Sequence, residues 1–143
     1  MPKIRDWTWT YTSTTTTTQL TVPIPKCQAG DLLLAIMSAD TGQQTWSCSG
    51  WTQLFSRTYN NATNTVNLGV LYKIAGDNEP NPTFTYTVAE TSNGHILAIQ
   101  DVDTSNPIAD SGYADINAAR GTVPVKTASR AKSLVVYLSL IHI

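Results

Sequence analysis

The chain has 143 residues and a formal net charge of −1, and its 13% charged residues are about half the usual share. This is one domain's length, enough to bury a core without staples. The even charge excludes the basic footprint that nucleic acid requires, and no apolar run approaches the roughly 18 residues of a membrane span. No basic segment leads into an apolar stretch at the start, so no secretion signal is expected. Threonine occurs 22 times, which favours strands and turns over helices.

Trp7, Trp9 and Tyr11 alternate with Thr8, Thr10 and Thr12. A period of two residues predicts a strand with one aromatic face. That face belongs either to the core or to an exposed stacking platform for a sugar. The Thr14 to Thr18 run predicts an exposed strand or connector. Leu20, Val22 and Ile24 predict a short strand, which Pro23 and Pro25 either confine to a sheet edge or bring to an end.

Gly30-Asp31 is a turn signal, and the unbroken apolar run Leu32 to Met37 after it predicts the central strand. An antiparallel sheet needs only one apolar face, whereas this strand has two. Either a loop or another subunit must therefore cover the second face. Leu32, Leu33, Leu34, Ile36 and Met37 are the candidate subunit contact.

Asp40 to Gly50 predicts a polar loop carrying Trp46. Trp51 to Tyr59 predicts a strand with Trp51, Gln53, Phe55 and Arg57 on one side. Asn60 to Asn64 predicts a turn, and its Asn61-Ala62-Thr63 is formally a glycosylation acceptor, discounted without a secretion signal. Val66 to Ile74 alternates cleanly. Gly76 to Pro82 predicts a turn, Thr83 to Val88 a strand, Asn93-Gly94 a turn, and Ile96 to Ile99 a further strand. Ile108 and Tyr113 are expected to tuck onto the core. Val123 and Val125 predict a short strand, and Leu134 to Ile143 a final one. Seven to nine short strands at this spacing predict a single all-β domain over residues 1–143, an antiparallel β-sandwich or jelly roll.

Chemistry-bearing residues are sparse. Cys27 and Cys48 flank the central strand, which places them at opposite ends of the domain as free thiols rather than a disulfide. His95 and His142 have no partner at metal-ligand spacing, so no metal and no cofactor is expected. Asp101 to Asn106 resembles the start of a calcium loop, but Asn106 and Gly112 stand where an EF-hand needs Gly and Glu. No nucleophile elbow occurs. A polysaccharide depolymerase would need two acids facing each other across a cleft, and the acids here fall in turns.

Four stretches occur together in order: Gln28 to Ile36 (QAGDLLLAI), Gly50 to Leu54 (GWTQL), Leu71 to Pro80 (LYKIAGDNEP) with Thr83 to Tyr86 (TFTY), and Ile99 to Ile108 (IQDVDTSNPI). With them the chain resembles, over roughly Thr12 to Leu138, a β-sandwich domain of bacteriophage and prophage virion proteins and some bacterial surface proteins. The resemblance implies a non-enzymatic virion part such as a capsid decoration, head-fibre or tail-fibre module, with no catalytic residues. Its partners would be other virion proteins on capsid or tail, with arrayed or homo-oligomeric copies. Such a protein is made in the host cytoplasm and released by lysis. Members of that group continue for several strands beyond the equivalent of Leu138, so the C-terminus at Ile143 reads as incomplete or misread. The alternative function is a receptor- or carbohydrate-binding module. Trp7, Trp9 and Trp46 are its candidate ligand-stacking residues, Trp51 and Tyr59 stand behind them, and a host-surface glycan would be the partner.

Overall fold

A computed structural model describes residues 1–13, 16–40, 44–60, 65–113, 133–136 and 138. Seven strands follow one another: β1 (Lys3–Thr12), β2 (Gln19–Thr21), β3 (Leu32–Ala39), β4 (Thr52–Asn60), β5 (Thr65–Ile74), β6 (Thr83–Thr85) and β7 (Ser92–Gln100). Five form one antiparallel sheet in the order β1-β7-β3-β5-β4, and β2 pairs with β6 in a second sheet. The fold is all-β, an antiparallel arrangement consistent with a β-sandwich. A jelly roll calls for eight strands, and seven are present among the described residues. No helix of the described residues is long and apolar enough to cross a membrane.

The central position of β3 follows from its sequence. Asp31 and Gln28 close the turn before it: the Gln28 amide donates to Asp31 Oδ2 (2.8 Å) and the Asp31 amide to the Gln28 carbonyl (3.0 Å). Gly30 supplies a φ of +90°, which a side-chain-bearing residue rarely adopts. From there β3 pairs with β5 on one side and β7 on the other. Leu33, Ala35 and Met37 face the small sheet, where they pack with Leu20, Val22, Phe84, Tyr86, Trp46 and Leu71. Leu32 and Leu34 face the other way and pack with Val70, Ile99, Val102, Ile108 and Val136.

The apolar run is therefore two-faced because the chain itself covers both faces, which answers the choice between loop and subunit. Leu32, Leu33, Leu34 and Met37 are at most 7% exposed. These four are core residues and not a subunit contact. Of the five candidates only Ile36 is half-buried.

Two local expectations are corrected. Asn93 and Gly94 form no turn. They lie inside β7, with Gly94 opposite Thr10 on β1 and Met37 on β3. Glycine stands there because a Cβ would fall 2.7 Å from Met37 Cε and 2.9 Å from Val22 Cγ2. It answers a packing demand that imitates a turn signal in sequence. In β4 the register shifts between Gln53, opposite Leu71, and Phe55, opposite Val70. This bulge puts Gln53 and Phe55 on opposite faces instead of one. The expected strand at Val123 and Val125, the Asn61 to Thr63 acceptor and His142 lie outside the described residues. Residues 133–136 and 138 carry no strand.

Candidate functional site: the aromatic face of β1

The side of β1 that carries Thr8, Thr10 and Thr12 turns inward, and the aromatic side turns out. Hydrogen bonds from the chain crossing beneath explain this. Thr8 Oγ1 donates to the Pro23 carbonyl, and the Lys26 amide donates to Asp6 Oδ2 (2.8 Å). Polar side chains on that side satisfy a backbone segment that apolar ones would leave unpaired. At the register shift between Ile4 and Asp6, Arg5 reaches Asp31 with two bonds of 2.7 and 3.2 Å.

Trp7, Trp9 and Tyr11 are consequently 57%, 52% and 63% exposed. Of the two readings open in sequence, core is excluded. The Trp9 and Tyr11 rings lie 5.9 Å apart and 16° from parallel, and His95 lies 6.3 Å from Trp9 at 21°. His95 is the register partner of Trp9, and Leu97 that of Trp7. Three rings from two strands thus share one orientation. Among the described residues, the side chains of Trp7, Trp9, Tyr11, Asn93 and His95 make no hydrogen bond to the protein.

Trp46 does not join them. It is 1% exposed, its ring lies 4.6 Å from Tyr86, and its Nε1 donates to Asn67 Oδ1 at 2.6 Å. The polar loop around it misled the sequence reading: Gln44 is buried as well, donating to the Val88 carbonyl and accepting from the Val88 amide. Trp51 packs on Phe84 edge to face at 5.2 Å, and Tyr59 is half-buried. Tyr11 and His95 are the residues that the stacking set lacked. Tyr11 continues the period-two pattern of Trp7 and Trp9, whereas His95 needs the β1–β7 register.

No family model, curated protein or solved structure matches this chain.

Two acids among the described residues are tied into the fold. Asp31 is tied to Arg5 and Gln28. Glu79 accepts from Lys73 Nζ (2.8 Å) and from the Gly76 amide (2.6 Å). Burial pushes the Glu79 pKa up, but the Gly76 amide and Lys73 outweigh it and hold the carboxyl below its ordinary value. Asp103 accepts from Ser105 at the Asp101 to Asn106 turn, which is therefore held by side-chain oxygens. Among the described residues no three metal-ligating side chains converge. An open depression of about 590 Å³ lies between residues 24–29 and 76–79. Cys27 lines it as a free thiol. Both cysteines are free, as expected, but they are not at opposite ends: each packs on the same core and each feels Lys73. Residues 44–51 return along the sheet and carry Cys48 back. Burial raises both thiol pKa values.

Proposed function

We propose that this chain is a non-enzymatic surface component of a virion, of capsid-decoration or fibre type, and that it works by binding. The ordered motifs from Gln28 to Ile108 support the virion assignment through the resemblance they carry. The single observation behind the binding role is the row of Trp7, Trp9 and Tyr11, more than half exposed on a strand whose opposite face is occupied by residues 23–26. Large exposed aromatic side chains in a row are unusual on a surface with no partner. They give rigid contact area at low entropic cost. The commitment of Asp31 and Glu79 to internal ion pairs favours binding over hydrolysis.

The test is a cryo-EM reconstruction of the particle that carries the chain, together with mass spectrometry of purified particles. The reading expects the domain in a symmetric array on shell or tail. Particles that contain none of the chain would overturn it, as would polysaccharide cleavage by the purified protein.

A further inference from the structure

We infer that the β1–β7 aromatic face binds a neutral, linear oligosaccharide, which lies along β1 over Trp7, Trp9 and Tyr11 and beside His95. The inference rests on the reading of this face as the working surface and names its ligand class.

Three observations select a sugar. The first is ring geometry: the Tyr11 and His95 rings lie 16° and 21° from the plane of the Trp9 ring, so neighbouring rings brace one another in one orientation. An aligned row suits the flat C–H faces of successive sugar rings, and little order has to be imposed on binding. From Trp7 to Tyr11 the strand rises by about 13 Å, room for a short run of sugar rings.

The second is the polar inventory. The indole N–H groups of Trp7 and Trp9, the Tyr11 hydroxyl, the His95 imidazole and the Asn93 amide have no protein hydrogen-bond partner among the described residues. Asn93 is the register partner of Tyr11, so its amide belongs to the same face. A ligand with apolar faces and hydroxyl rims uses both kinds of group at once.

The third is charge. Single-stranded nucleic acid also stacks on aromatic rows, but it requires a cationic groove beside them. The nearest cations on β1 are Lys3 and Arg5, and Arg5 is held by Asp31. An uncharged ligand fits the face. Strand addition by a protein is disfavoured, since the register shift at Arg5 bends β1 where a partner strand would pair.

The full chain, labelled with ¹⁵N, is titrated at millimolar concentration with cellohexaose, maltohexaose and chitohexaose, and the four indole N–H signals are followed. At least one sugar is expected to shift the Trp7 and Trp9 signals and leave buried Trp46 still. Trp9→Thr keeps a strand-forming residue at an exposed site and should weaken binding about tenfold, the scale of one lost stacking contact. Tyr11→Phe should weaken it by a few-fold, the scale of one lost hydrogen bond. An unchanged urea midpoint in both variants shows that they fold. If no sugar moves Trp7 or Trp9, the inference is overturned. The face then remains a working surface only if Trp9→Thr abolishes incorporation into particles, which would make it a protein contact. If incorporation is also unaffected, this face is not the working surface, while the presence of the chain in particles still upholds the virion reading.

Discussion

Trp46 lays its indole directly on the backbone of Gly69: a Cβ built on Gly69 would meet Trp46 Cδ1 and lie 2.8 Å from Cγ. The bare strand position and the buried ring form a single unit. Both groups are enclosed by the sheet, so neither has room to yield. Gly69→Ala is expected to destabilise by about 1–3 kcal/mol through overpacking. Gly94→Ala meets the flexible end of Met37 as well as Val22 and is expected to cost less. Urea unfolding midpoints of the two variants give the order directly. Equal midpoints would show that the ring moves freely.

Asn67 holds the same ring from the side. It is fully buried, accepts from Trp46 Nε1, and donates to the Gln44 carbonyl (3.1 Å) and Thr58 Oγ1 (2.8 Å). Asn67→Ala would strand a buried indole N–H and a carbonyl, at a cost of about 2–4 kcal/mol. Trp46→Phe in the Asn67→Ala background should recover part of that loss, because the orphaned N–H goes with it. A double-mutant cycle measured by urea unfolding checks the coupling.

Glu79 makes stability depend on acid. Its folded-state pKa lies below the ordinary value. Its contribution is therefore complete above that ordinary value, about 4.3, and is lost as pH falls from there through the lowered folded value. Asp6, held low by the Lys26 and Trp7 amides, acts in the same direction. Glu79→Gln should flatten the fall in unfolding midpoint below about pH 4.3 and leave its slope near neutrality unchanged. Denaturant melts at a series of pH values give the comparison. An unaltered acid slope would remove Glu79 from the account.

The thiols should react slowly. Burial raises both pKa values and only the thiolate is nucleophilic, so iodoacetamide at neutral pH is expected to label folded Cys27 and Cys48 more slowly than free cysteine. Unfolding should release both at once. Peptide mass spectrometry under non-reducing conditions should find two alkylated cysteines and no bridge.

The β-rich class, the central place of Leu32 to Met37 and the existence of β5 were readable from residue order, because period and apolar runs are local properties of the chain. The alternation of β5 did not show which of its faces is core, since Asn67 and Leu71 on the expected polar side are fully buried. The turn at Gln28 to Asp31 was readable for the same reason, since Gly30 and Asp31 carry its chemistry themselves. Which side of β1 faces inward was not local. It depends on residues 23–26 crossing beneath Thr8 and offering polar backbone to a polar side chain. Trp46 is the converse case: a polar loop became interior because Gly69 leaves a place for the ring and Asn67 a partner for its nitrogen. The pairing of His95 with Trp9 arises only when β7 takes its register between β1 and β3. Alternation along a strand names two faces, but only the segments that pack against them decide which is core and which meets water.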